Sequence, residues 1–346
     1  MSIKTSHWEC PSNIAIVKYW GKKELQVPCN PSISITLSSA VTRSRLEAIP
    51  KQGTFPEITV YWNGEENPTL AKKLTGFLLS IQKYIPEVTK FSLTLYTQNT
   101  FPHGAGIASS ASGMGALALC LCELFRPEAE KGTHQNDFLQ MASQIARLGS
   151  GSASRSIFKG FALWGKTPSW QNSSNEYASP LNSMVHNTFN EMQNCILIVD
   201  PSEKKVSSTA GHGLMKNHPY ATSRFIQAEQ HTEEMIEVLQ NGNMERFIEI
   251  TESEALALHA MMMTSNPGYL LIKPTTLDVI ENIRTFRQQS GLPICFTLDA
   301  GPNVHILYPK SVENQIKEFI IHYLCPKFPM ASPLWDHAGN GPKSLK

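Results

Sequence analysis

The stretch Phe101–Gly113, "FPHGAGIASSASG", holds three glycines and three serines in thirteen residues. It follows "FSLTLYTQN" (Phe91–Asn99), whose alternating pattern predicts a strand, and runs into the apolar segment Met114–Phe125, long enough for a buried helix. A helix N-terminus presents free backbone N–H groups and a partial positive charge, so this order suits an anion. Gly104 and Gly106 permit close backbone approach and positive φ. Ser109, Ser110 and Ser112 add hydroxyls that can bond phosphate oxygens or a metal. The Gly-Lys-Ser/Thr ending of a Walker loop is missing. Taken alone, the stretch reads equally well as a flexible turn with serine N-caps.

The 346 residues allow two ordinary domains or one large one. Hydrophobic residues make up 41% and charged residues 17%, which fits a soluble globular protein and excludes long disorder. A net charge of +1 gives no basic face for nucleic acid. No segment approaches the roughly 20 apolar residues of a membrane span. The N-terminal "MSIKTSHWECPSN" lacks the apolar core of a signal peptide. Seven scattered cysteines with no CxxC point to reduced thiols in a cytoplasmic protein. The eleven histidines show no metal-ligand spacing.

Outward from the opening loop, "NIAIVKYW" (Asn13–Trp20), "SISITLS" (Ser32–Ser38) and "EITVYW" (Glu57–Trp62) predict strands, with a turn at Asn63-Gly64. Thr69–Ile85 and Asn136–Leu148 have helical spacing, and "FKGFALWG" (Phe158–Gly165) predicts a strand. The polar stretch Thr167–Ser183 is the best linker or long surface loop. Beyond it, Asn194–Asp200 is a buried-strand pattern. Pro219–Gln240, Met244–Met263 and Thr275–Ser290 predict helices. "ICFTLDAGPNVHILYP" (Ile294–Pro309) reads as strand, Gly-Pro turn, strand, and Val312–Leu324 as a closing amphipathic helix. Without a regular βαβ rhythm, this mixture favours two α+β domains, residues 1–185 and 186–346, over a doubly wound sheet.

Three further constellations carry charge. "NIAIVKYWGKK" sets Lys18 and Lys22 four apart around Tyr19, which suits a polyanion or an ordinary solvated edge. "RLGSGSASRS" is a second glycine–serine turn ending in Arg155, whose fork pairs with carboxylate or phosphate. Asp299 in "TLDAGPN" ends an apolar strand, as a turn-maker or as a base in a cleft. One acid, several cations and two anion-binding turns are what phosphoryl transfer needs.

Taken together, these motifs are informative. "PHGAGIASSAS" resembles the phosphate loop of the GHMP kinase superfamily. "NIAIVKYWGKK", "GSGSASRS" and "FTLDAGPN" resemble the mevalonate diphosphate decarboxylase family within it. The likeness runs nearly end to end, through "PCNPSISITLS", "VSSTAGHGL", "ESEALALHAMMMTSNPGYL" and "GNGP". It implies an N-terminal domain like the second domain of ribosomal protein S5, a C-terminal ferredoxin-like α+β domain, and a site in the cleft between them. It also implies ATP and Mg2+ as cofactors, mevalonate 5-diphosphate as substrate, and a homodimer.

The same resemblance implies that Asp299 acts on the 3-hydroxyl, that Lys18 stabilises negative charge nearby, and that Arg155 holds the substrate carboxylate. Tyr19, Lys22, Ser150 and Ser152 would hold the diphosphate, with Ser208 and Thr209 adding contacts. Thr97, Asn99, Gly104, Ala105, Gly106, Ala108, Ser109, Ser110 and Ser112 would surround the nucleotide, and Ser109 and Ser110 would reach the metal. His103, Lys159, His212 and Gly268 depart from the usual pattern. Related decarboxylases take mevalonate 5-phosphate, related kinases phosphorylate mevalonate at the 3-position, and some relatives are catalytically silent ligand sensors. The intact Asp299, Lys18 and serine loop favour an enzyme.

Overall fold

The structure is a computed structural model that describes residues 3–102, 107–126, 135–200, 202 and 208–345. Gly104, Ala105 and Gly106 lie outside the described residues, as do the side chains of Ser208 and Thr209.

Two sheets organise the chain. The first is built on β1 (Lys4–Val17) and β2 (Ser32–Pro50), which pair antiparallel along most of their length. β3 (Glu57–Trp62) turns at Asn63-Gly64 into β4 (Glu65–Glu66). Both turn residues take positive φ, 52° and 89°, as a two-residue hairpin demands. β5 (Phe91–Asn99) lies between β2 and β3, antiparallel to the first and parallel to the second. With β12 (Lys343–Ser344) at one edge, the order is β12-β1-β2-β5-β3-β4, with β6 (Phe161–Trp164) on the start of β2 and β7 (Ala178–Pro180) on β6.

α1 (Pro68–Ile81) starts where the Asn67 side chain accepts from the Leu70 N–H at 2.9 Å. α2 (Ser109–Phe125) is apolar on every side beyond its first turn, so it must be enclosed. It packs between β1 and α3 (Gln135–Gly149), and Met114, Leu117, Leu121 and Phe125 join Leu46, Leu93 and Leu95 of the sheet in one core. The polar stretch from Thr167 is a structured loop: it carries β7, and Trp164 Nε1 donates to the Asn175 carbonyl at 3.0 Å.

After the short helix α4 (Asn187–Asn190) comes the second sheet, of β8 (Met192–Ile198), β9 (Cys295–Leu298), β10 (Val304–Pro309) and β11 (Ser332–His337). Its order, β11-β8-β10-β9, is antiparallel throughout and is the 4-1-3-2 arrangement of a ferredoxin-like domain. Between β8 and β9 run α5 (Ser208–Leu214), α6 (Ala221–Asn241), α7 (Met244–Met263) and α8 (Pro274–Ser290). Successive side chains of a strand point to opposite faces. Cys195 and Leu197 therefore pack with Ile280 and Ile316, while Ile196 and Ile198 pack with Ile14, Ile33 and Phe247. The mixed α+β class, the S5-like first half and the ferredoxin-like second half stand as expected.

Three expectations need correction. β1 begins at Lys4 and β2 continues to Pro50, because Pro11 sits at a register shift that a strand tolerates. The helix at Val312–Leu324 divides into α9 (Glu313–Phe319), a wider π turn (Ile320–Leu324) and α10 (Cys325–Lys327); Pro326, lacking an N–H, cannot continue a regular ladder. The chain also does not close there. β11 completes the second sheet, and β12 (Lys343–Ser344) returns to pair with Trp8 and Glu9 of β1.

Candidate active site

β1 ends at Val17 and Lys18 follows; β9 ends at Leu298 and Asp299 follows. The residues that immediately follow two strands from different sheets thus meet. Lys18 Nζ stands 3.4 Å from Asp299 Oδ1, with the lysine side chain 2% exposed and the aspartate 24%. Nζ also donates to the Ala15 carbonyl at 2.6 Å. The register of β1 on β2 shifts between Ala15 and Val17, and such a bulge leaves main-chain groups out of the ladder. Thr297 Oγ1 donates to the same carbonyl at 3.3 Å. Burial lowers the Lys18 pKa, and Asp299 counters it.

Arg155 belongs to the tight turn Gly151–Ile157 and is 1% exposed. Its Nε donates to Ser34 Oγ at 3.0 Å and its Nη1 to Ser32 Oγ at 2.5 Å. Burial pushes its pKa down to about 10, against opposing pulls from Asp299 and Tyr19. Among the described residues no carboxylate lies within ion-pair distance of it. A buried cation whose hydrogen bonds go to neutral hydroxyls, with the Trp164 ring 6.0 Å away, is costly until an anion arrives.

Tyr19 lies edge-on to Trp164, ring centroids 4.7 Å apart, and against His212 at 4.3 Å. Its hydroxyl is buried and has no hydrogen-bond partner among the described residues. A Cβ on Gly151 would come within 2.9 Å of both Tyr19 and Trp164, so only glycine lets the Arg155 turn approach these rings. Lys22 is half-buried, which lowers its pKa. His212 fills its place by stacking on Trp20 at 4.5 Å and accepting the Gly21 N–H on Nδ1 at 2.9 Å.

The serines of the two glycine-rich turns come together. Ser150 Oγ is 3.4 Å from Ser110 Oγ and 3.4 Å from Ser152 Oγ. Ala108, at φ 47°, turns the chain into α2, where Ser109 is half-buried and Ser110 exposed. Ser112 faces the sheet instead, 2.6 Å from Thr42 Oγ1, which donates to Asn99 Oδ1 at 2.7 Å. Thr97 Oγ1 is 2.8 Å from Ser44 Oγ. Asn99 keeps a buried Nδ2 without a partner among the described residues.

The sequence reading did not single out several residues that hold these groups. Ser32 and Ser34 carry Arg155, and Asn30 Nδ2 binds the Lys18 carbonyl at 2.8 Å. Glu254, fully buried on α7, accepts the Lys18 N–H at 2.8 Å. Glu254 just before the run Ala255–Met263, and His259 as the one polar residue within that run, were the available signal.

Comparison with known proteins settles the family. Residues 10–176 match the diphosphomevalonate decarboxylase-like N-terminal domain, and residues 194–340 match the mevalonate 5-diphosphate decarboxylase C-terminal domain. The chain belongs to the diphosphomevalonate decarboxylase family. The diphosphomevalonate decarboxylase of Debaryomyces hansenii is 30% identical over 344 residues, covering 93% of this chain and 84% of the relative. Mevalonate diphosphate decarboxylase from Staphylococcus aureus superposes with a TM-score of 0.84 at 27% identity, covering 100% of this chain and 99% of the other. A solved structure of MDDEF in complex with MVAPP, AMPPCP and magnesium gives a TM-score of 0.82 at 28% identity, with 100% of both chains covered. Both diphosphomevalonate decarboxylase domains are thus present in one chain, and the Lys18–Asp299 contact lies where they meet.

Proposed function

We propose that this chain converts mevalonate 5-diphosphate and ATP into isopentenyl diphosphate, ADP, phosphate and CO2. The observation that carries the reading is the buried Lys18–Asp299 contact joining the two sheets, in electrostatic reach of Arg155, a buried cation with no carboxylate at ion-pair distance among the described residues.

A tertiary hydroxyl leaves poorly, and a phosphate leaves well. In the first step the 3-hydroxyl oxygen bonds to the γ-phosphorus, the bond from that phosphorus to the β–γ bridging oxygen breaks, and the proton passes to Asp299. In the second the C3–O bond breaks with its electron pair leaving on phosphate. The C1–C2 bond then breaks, CO2 departs, and its electrons form the C2–C3 double bond. Lys18, beside Asp299, offsets negative charge during transfer. Arg155 holds the carboxylate that becomes CO2, its fork already oriented by Ser32 and Ser34.

Tyr19 and Lys22, with Ser150 and Ser152, bind the diphosphate, and Ser208 and Thr209 add substrate contacts. The nucleotide lies against the α2 N-terminus, with Gly104, Ala105, Gly106 and Ala108 as its loop. The unpartnered Nδ2 of Asn99 supports a ligand there, whereas the hydroxyls of Thr97 and Ser112 are already engaged with Ser44 and Thr42. Magnesium takes hard oxygen ligands, commonly one or two from protein plus substrate phosphates. The half-buried Ser109 and exposed Ser110 suit that donor set. When bound, the ion neutralises phosphate charge.

The reading divides the chain at residues 1–185 and 186–346, which the matches at 10–176 and 194–340 support from either side. It includes a homodimer and a cytoplasmic location; seven free cysteines accord with a reducing compartment. Among the described residues no helix is long and apolar enough to cross a membrane.

ADP and CO2 followed in parallel with mevalonate 5-diphosphate test the reading, with mevalonate 5-phosphate and mevalonate in separate arms. Asp299→Asn is expected to lower turnover by about 10³-fold or more with an unchanged circular dichroism spectrum. Near-normal CO2 release from that variant would remove Asp299 from the chemistry. Tight binding of ATP and substrate by the unaltered chain without ADP formation would make it a sensor.

A further inference from the structure

One helix grips both members of the Lys18–Asp299 pair. Glu254 on α7 is 0% exposed, and four donors converge on its carboxylate. Arg224 Nη1 donates to Oε1 at 3.0 Å and its Nη2 to Oε2. His231 Nδ1 is 2.6 Å from Oε1, and the Lys18 main-chain N–H donates to Oε2 at 2.8 Å. Burial alone would raise the Glu254 pKa, but His231, Arg224 and the Lys18 amide hold it below the usual carboxylate range. Five residues on, His259 Nε2 lies 3.0 Å from the main-chain oxygen of Asp299. Nε2 must carry the ring proton, since a carbonyl only accepts.

Neither side chain is bonded to the reacting groups themselves. Glu254 holds the backbone of the residue after β1, and His259 holds the backbone of the residue after β9. The two positions are about 7.5 Å apart along a helix axis that does not stretch. A helix staple would need only Arg224 and Glu254, on neighbouring α6 and α7. It would not need a carboxylate oxygen turned onto Lys18, from the other sheet.

We propose that α7 is a spacer which, through Glu254 and His259, fixes the separation of Lys18 from Asp299. Both are positioning residues, and their role rests on the assignment of Lys18 and Asp299 to the chemistry. Displacing reacting groups by an ångström costs up to about 100-fold in rate, so the effect belongs in kcat.

The experiment compares steady-state kinetics of the full-length protein and its variants with ATP and mevalonate 5-diphosphate. Glu254→Gln and His259→Leu are expected to lower kcat about 10-fold or more, with KM for mevalonate 5-diphosphate within about threefold. His259→Gln, whose amide nitrogen reaches the same carbonyl, recovers most of the loss. In a Lys18→Met background, Glu254→Gln adds less than about a twofold further loss, because its effect runs through Lys18. The spacer is overturned if Glu254→Gln and His259→Leu keep wild-type kcat, if the loss is in KM alone, or if Glu254→Gln costs the same in both backgrounds. Should Glu254→Gln fail to fold, the His259→Leu and His259→Gln pair decides. Wild-type kcat in Lys18→Met and Asp299→Asn would sink the reading of the site itself. Their loss, with Glu254→Gln and His259→Leu unaffected, would sink only the spacer.

Discussion

Tyr19 carries a hydroxyl that folding buries and leaves without a partner among the described residues. Such a group costs about 1–3 kcal/mol, and the cost persists where a ligand later supplies the missing bond. Tyr19→Phe removes the hydroxyl from both states. Urea unfolding is therefore expected at an unchanged or higher midpoint, while KM for mevalonate 5-diphosphate rises about 10-fold, near 1.4 kcal/mol. Lost stability with unchanged KM would make Tyr19 a core residue only. At this scale charge was legible and neutral support was not. Lys18, Arg155 and Asp299 stand out in sequence because cations and an acid at the ends of apolar strands or in glycine turns need a reason. Ser32 and Ser34 do not, because a serine in a strand carries no signal until its partner, more than a hundred positions away, is known. Ser112 shows the reverse error of scale: it looks like its neighbours in the loop, but helical rotation turns it onto Thr42.

At the scale of elements, one carboxylate adds a further tie between the two sheets. Asp336 of β11 accepts the N–H groups of Ser38 at 2.8 Å, Ser39 at 2.9 Å and Ala40 at 2.8 Å, where β2 bends away from β6 toward β5. Asp336→Ala leaves these three main-chain donors short of a partner, together with the His337 N–H, which donates to Asp336 Oδ1 at 2.7 Å. A loss of about 3 kcal/mol or more in unfolding free energy is expected from denaturant titration, with Asp336→Asn intermediate. Equal stability of all three proteins would show that water replaces the carboxylate. Helices and central strands were legible because their apolar periodicity is strong: β3, β5 and α7 lie where the pattern puts them. The second half of β2 was not. Its alternation is intact, with Arg43 and Arg45 outward and Thr42, Ser44 and Leu46 inward, but two of its inward residues are polar. β11 is short and contains a proline, and only pairing with β8 makes it a strand.

Between the separate cores of the two halves lies one that both share, in which Ile14, Ile33 and Phe161 meet Ile196, Met235 and Phe247. Two histidines sit at that junction. His259 faces Asp299, and His305 on β10 is 1% exposed beside Asn194, its Nδ1 3.2 Å from Nδ2. Burial pushes each pKa down to about 4, with the Lys18 charge adding to the effect and Asp299 opposing it. The unfolded chain takes up these protons near the ordinary value of 6.5, while the folded chain resists until about pH 4. The unfolded state therefore binds more protons across that window, so stability is level above pH 6.5 and falls as the pH drops toward 4. Each histidine accounts for a loss of order 3 kcal/mol. Glu254, held below the carboxylate range, adds its share as the pH falls below its ordinary value of 4.5. Because the junction lies in a common core, acid is expected to weaken both halves together. Urea unfolding at pH 7.5, 6.5, 5.5 and 4.5, followed by circular dichroism and tryptophan fluorescence, should give one coincident transition whose free energy declines below pH 6.5. His305→Leu should decline less steeply, by up to one proton's worth. Identical slopes would place His305 in contact with solvent, and two separated transitions would mean that the shared core does not couple the halves.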